Sequence, residues 1–134
     1  MRHPGRKLLI VDDDPNEVFF LRHAFAGSAE ELEIRHADSG EAALAEIPRF
    51  NPDLVLLDLN MPGMDGHDVL GRIRRDEVMR GVPTLIFSSS ENEDDVRRSY
   101  RAHANAYVVK PRSSDGYREL ADSITRFWYE TARL

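Results

Sequence analysis

The stretch Asp53-Leu-Val-Leu-Leu-Asp-Leu-Asn-Met-Pro-Gly-Met-Asp-Gly66 decides the reading of this chain. Leu54 to Leu57 form an unbroken aliphatic run, short enough for a strand and without the polar alternation of a half-solvated one. Asp58 follows with no polar spacer. A carboxylate at the end of a buried strand costs free energy unless other groups compensate it, so the position calls for partners.

Upstream, Leu8-Leu9-Ile10-Val11 is a second aliphatic run, and it too ends in acid, Asp12-Asp13-Asp14. Asp14-Pro15-Asn16-Glu17 reads as a capping box with proline at the first helical position. Val18, Leu21 and Phe25 then recur at helical spacing up to Gly27. Residues 32–37, LEIRHA, alternate and predict a strand nearer a sheet edge. Asp38 or Ser39 caps a helix over 40–47 that ends at Pro48. Asn51-Pro52 leads into the strand 53–57. Asp65-Gly66 starts a helix with Val69, Leu70 and Ile73 on its apolar side. Residues 82–87, VPTLIF, predict a fourth strand. Ser90-x-x-Glu93 reads as a second capping box, opening a helix to about 103. Residues 106–110, AYVVK, predict a fifth strand, and a last helix spans about 114–132 with Tyr117, Leu120, Ile124, Phe127 and Trp128 near one face.

Strands alternating with helices predict an α/β fold with an open five-stranded parallel sheet. Right-handed crossovers leave few topologies, and the doubly wound, flavodoxin-like order 2-1-3-4-5 suits this size. In that order strands 1 and 3 are neighbours, and ligands bind at their C-terminal ends. There the polar residues collect: Asp12 and Asp13 after strand 1, Asp58 after strand 3, Ser88 after strand 4 and Lys110 closing strand 5. Carboxylates about 4 Å apart repel by roughly 4 kcal/mol per pair at an effective dielectric near 20. A divalent cation relieves such a cluster, and an all-oxygen donor set favours Mg²⁺. An aspartate beside Mg²⁺ and a lysine is equipped for phosphoryl transfer, with the carboxylate as nucleophile and the cations neutralising the transferring group.

These residues carry a resemblance. Asp12-Asp13, the segment Asp58 to Gly66, Ser88 and Tyr107-Val-Val-Lys-Pro111 resemble, in order and position, the receiver domain of two-component response regulators, over about residues 7 to 132. The resemblance implies that Asp58 accepts a phosphoryl group from a sensor histidine kinase. It implies Asp13, Asp58 and the Asn60 carbonyl as direct Mg²⁺ ligands, with Asp12 acting through water. It makes Lys110 the partner of the phosphate, Ser88 and Tyr107 the switch residues, and Lys110-Pro111 a cis peptide. Residues 73–111 and the closing ITRFWYE (124–130) are further similar to single-domain regulators paired with bacterial and cyanobacterial phytochrome kinases. Such relatives often form homodimers through the face of helix 4, strand 5 and helix 5. Phe127 and Trp128 fit either a partner-covered patch there or packing against their own domain. Arg112 departs from the family, which often has an apolar residue after this proline.

Composition bounds the rest. The 134 residues, 41% hydrophobic and 31% charged, fit one receiver domain over 1–134, with no effector domain after it. The formal charge of −6 argues against nucleic acid as a partner. The absence of cysteine fits a reducing cytoplasm, and no apolar run reaches the ~18–20 residues that cross a membrane. Two other readings compete. A haloacid-dehalogenase-type phosphatase shares the aspartate nucleophile but needs an acid/base aspartate two residues later, where this chain has Asn60. A receiver-like interaction module would work without phosphorylation.

Overall fold

A computed structural model of the chain describes residues 6–27 and 32–131. Five parallel strands, β1 (Arg6–Val11), β2 (Leu32–Ala37), β3 (Leu54–Leu57), β4 (Thr84–Ser88) and β5 (Ala106–Val109), lie in the order β2-β1-β3-β4-β5. Helices α1 (Pro15–Ala26), α2 (Gly40–Phe50), α3 (Gly66–Arg75), α4 (Glu93–Arg101) and α5 (Ser114–Ile124) connect and cover them.

The aliphatic runs are explained by burial on both faces. Leu8, Ile10, Leu54, Leu56, Leu85 and Phe87 point toward α1 and α5, where Val18, Leu21, Phe25, Ala121 and Ile124 meet them. Leu9, Val11, Val55, Leu57 and Ile86 point the other way, against Ala43, Ile47 and Phe50 of α2 and Val69, Leu70 and Ile73 of α3. Each fully buried aliphatic side chain contributes roughly 1.5–3 kcal/mol. The four in β3 therefore anchor the strand well enough to offset a costly neighbour. Edge strand β2 keeps Glu33, Arg35 and His36 exposed, which accounts for its alternation.

Register aligns the strand ends. Val11 is opposite Leu57, and Leu57 is opposite Ile86. The ladder continues one residue further, with Asp12 N–H on Ala37 O at 3.1 Å, Asp58 N–H on Val11 O at 2.9 Å and Lys110 N–H on Ser88 O at 2.8 Å. Each polar residue is thus held by its backbone before its side chain makes any contact.

Several local features differ from the sequence-based expectation. The helix predicted to end at Pro48 continues to Phe50, because Ile47 and Phe50 both reach the core and left-handed Asn51 (φ 53°) closes it on Ile47 O. Asp14 caps α1, but Glu17 does not complete the box. Asp14 N–H donates to Asp12 Oδ1 instead, and Glu17 accepts the Tyr117 hydroxyl at 2.7 and 2.8 Å. Helix α4 is capped by Asn92, not by Ser90, and ends at Arg101. The last helix changes to π-helix over Thr125–Thr131. The wider turn brings Ile124 and Tyr129, five residues apart, onto the buried side together. Tyr129 donates to Lys7 O at 3.2 Å beneath the Arg6 guanidinium, and Phe127 is left exposed. The expected end at 132 lies outside the described residues.

Candidate functional site

Asp12, Asp13 and Asp58 meet at the C-terminal ends of β1 and β3, with one carboxylate oxygen of each within 4.8 Å of the others. Asp12 and Asp58 are buried and Asp13 lies exposed at the mouth. Lys110 extends its ammonium over the Phe87 ring to both buried acids, 3.1 Å from Asp12 Oδ2 and 3.4 Å from Asp58 Oδ1. Asp12 is fully engaged by the protein: its second oxygen takes the Asp14 N–H at 2.9 Å, and its carbonyl takes His36 Nε2–H at 2.7 Å. Asp58 is less satisfied, with Lys110 and the Asn60 backbone N–H as its partners.

The electrostatics follow from this arrangement. Burial raises the Asp58 carboxyl to about 6, the Asp12 charge pushes the same way, and Lys110 and the Asn60 N–H only partly offset them. For Lys110, burial alone acts downward, but Asp58 and Asp12 together outweigh it and its pKa is raised. One ammonium cannot balance three carboxylates, so the pocket remains electron-rich. An all-oxygen set of three acids at this spacing fits a hard divalent cation.

The other residues predicted to belong to the site lie around this centre. Ser88, the last residue of β4, is completely buried, and its Oγ accepts the Ser90 N–H at 3.1 Å. Tyr107 on β5 is half-buried and donates its hydroxyl to Ser90 O at 2.8 Å. Ser88 and Tyr107 are therefore joined through Ser90. The Asn60 side chain is exposed beside Asp58. The expectation of a cis bond before Pro111 is corrected: no cis peptide occurs among the described residues. Lys110 is bound to Ser88 O through its backbone and to Asp12 through its side chain in the trans form, and trans is the preferred isomer of an X–Pro bond by about 0.5–1 kcal/mol.

Two supporting features are not legible in the sequence pattern. Gly66 reads there only as a helix start, yet a Cβ at this position would sit 2.4 Å from Asp58 O, so a side chain would displace the strand end that presents the acid. The adjacent Asp65-Gly66 pair is the available signal. The Glu17–Tyr117 pair ties α1 to α5 beside the pocket. Nothing local in the sequence marks it, since the partners are 100 positions apart.

Comparison with known proteins agrees with this geometry. The model of the response regulator receiver domain family matches residues 8–122. Response regulator Rcp1 of Synechocystis sp. is 32% identical over 139 aligned positions, covering 98% of this chain and 95% of Rcp1. The Mn²⁺-bound form of Rcp1 superposes with a TM-score of 0.86 at 31% identity, over 96% of this chain and 98% of that one. The phosphorylated cyanobacterial phytochrome response regulator RcpA gives a TM-score of 0.90 at 32% identity, over 98% and 99% of the two chains. RPA3017, a response regulator in red light signaling of R. palustris, gives 0.88 at 33% identity, over 96% and 97%. With a family match across most of its length and these relatives along nearly all of it, the chain belongs to the response regulator receiver domain family of two-component signalling.

Proposed function

We propose that this protein is a phospho-accepting switch in which Asp58 takes a phosphoryl group from a phosphohistidine of a sensor histidine kinase, one of the bacteriophytochrome class. The observation that carries the reading is the Lys110 ammonium lying between two buried carboxylates, 3.1 Å from Asp12 and 3.4 Å from Asp58. An Asp58 Oδ attacks phosphorus, the P–N bond to the donor imidazole breaks, and the imidazole nitrogen leaves. At neutral pH a carboxyl with a pKa of about 6 is mostly ionised and is a better nucleophile than an ordinary aspartate. Mg²⁺ would be held by Asp13, Asp58 and the Asn60 carbonyl, with Asp12 through water, and supplies positive charge to the phosphoryl oxygens. Lys110 pivots from Asp12 toward the same oxygens.

The product is a state of the protein rather than a released compound. The phosphorylated side chain carries about two negative charges where the carboxylate carried one, and it places several acceptors beside Ser88. The Ser88 hydroxyl keeps a proton to donate, and Tyr107 senses the change because both residues bind Ser90. The output is read on the face of α4, β5 and α5, where Tyr100, Val109 and, just beyond, Phe127 are exposed, and a second copy of the chain is the partner. No described helix is long and apolar enough to cross a membrane, in keeping with a cytoplasmic regulator. The test is intact mass after incubation with acetyl phosphate and Mg²⁺. A gain of one phosphoryl mass, absent in Asp58→Asn and with chelator, is the expected result. Wild-type protein that gains no mass would overturn the reading.

A further inference from the structure

Helix α4 is held to the domain largely by polar contacts. Its buried side chain is a serine, Ser99, and only Asp95 and Val96 join it in partial burial. Little apolar surface therefore fixes the helix, and polar contacts decide where it sits. Ser99 donates its hydroxyl to Asp95 O at 2.8 Å and so uses its oxygen to accept from His67 Nε2–H on α3, at 3.0 Å. Burial, with nearby Arg98, lowers the His67 pKa and favours the neutral imidazole, with Asp65 and Asp95 opposing. From the other end of the same turn, Asp95 Oδ2 accepts the Ser90 hydroxyl at 2.6 Å, a short charge-assisted bond. Ser90 Oγ also accepts the Asn92 N–H at 3.2 Å, and Ser90 N–H is spent on Ser88 Oγ. A polar path thus runs from α3 through α4 to the serine beside the acidic pocket.

We propose that the chain His67–Ser99–Asp95–Ser90 is a latch that holds the β4–α4 loop in its resting position and opposes engagement of Ser88 with a phosphoryl group on Asp58. Asp95 is the positioning residue and acts through Ser90. For Ser88 Oγ to turn to a phosphoryl oxygen, it must release the Ser90 N–H or draw Ser90 along, and Asp95 resists both. The latch presupposes Asp58 as phosphoacceptor. Because the latch favours one of two states, its removal must tighten binding of anything that favours the other.

Calorimetric titration with beryllofluoride and Mg²⁺, a stand-in for the phosphoryl group on a carboxylate, tests this on the full chain. Asp95→Ala and Ser90→Ala should each bind about 5-fold more tightly than wild type, the low end for a charge-assisted bond that is partly exposed. Asp95→Asn, which keeps an acceptor, should lie between. Asp94→Asn removes the neighbouring charge, which pairs with Arg97 outside the latch, and should match wild type. The double variant Ser90→Ala/Asp95→Ala should gain no more than either single one. Equal affinities in wild type and Asp95→Ala, or multiplying effects in the double variant, would overturn the latch while leaving Asp58 as acceptor. Wild type that binds no beryllofluoride would overturn both. The far end is read by hydrogen exchange: Ser99→Ala should speed exchange across α4 and leave β1 and β3 unchanged, and an unchanged α4 would remove His67 and Ser99 from the latch.

Discussion

Replacing Asp58 by asparagine should stabilise the metal-free protein, although it removes the proposed nucleophile. The Asp58 carboxyl is raised from 3.8 to about 6 by burial and by Asp12. A group whose pKa is higher in the folded state holds its proton more tightly there. Its stabilising contribution is complete below the unfolded value and disappears as pH rises through about 6. The difference amounts to about 3 kcal/mol, and the attraction of Lys110 is already contained in it. Asparagine resembles the protonated carboxyl and carries no such loss. With an unfolding entropy of about 2.1 cal/mol/K per residue, the 134-residue chain should show a Tm higher by roughly 10 °C in Asp58→Asn at pH 8 in chelator. Below about pH 4 the two proteins should converge. Paired thermal melts monitored by circular dichroism between pH 4 and pH 8 provide the assay. If the difference were absent at pH 8, or did not shrink on acidification, Asp58 would not be the strained group described above.

Mg²⁺ should raise the Tm of wild type and leave Asp58→Asn much less affected. At a hundredfold excess over Kd the linkage is worth about 2.7 kcal/mol, measurable in the same melts. Gly66→Ala should cost about 1–3 kcal/mol in urea unfolding through its clash with the Asp58 carbonyl, and it should slow labelling by acetyl phosphate. Tyr117→Phe should lose about 1 kcal/mol in the same unfolding assay by releasing the half-buried Glu17 carboxylate. Tyr129→Ala should lose about 3–5 kcal/mol, because its ring is almost completely buried beneath the π-helical turn.

Burial decides which parts of the fold are legible in the sequence. The runs 8–11 and 54–57 are uniformly apolar because both faces of β1 and β3 are covered. Asp12 and Asp58 can be placed from sequence because each directly follows such a run; Ser88 and Lys110 directly follow the apolar stretches 85–87 and 106–109, of which the second is only partly buried. Features set by tertiary partners are hidden. Glu17 has the spacing of a capping box, but Tyr117 from the far end of the chain takes its carboxylate. Pro48 signals a helix end, but Phe50 has a core position to fill. Ser90 has the spacing of a cap, but Asp95 claims its hydroxyl and Asn92 caps instead. The π-turn after Ile124 exists because Tyr129 reaches Lys7 on β1, a contact no local pattern encodes.

In the proposed mechanism the phosphoryl group resides on Asp58 and on no neighbouring acid. Borohydride reduction of the acetyl-phosphate-treated protein converts an aspartyl phosphate to homoserine, which tandem mass spectrometry locates in the peptide map. Homoserine is expected at position 58 in the presence of Mg²⁺, and none in chelator. Homoserine at position 12 or 13, or unmodified Asp58 in protein that has gained the phosphoryl mass, would contradict it.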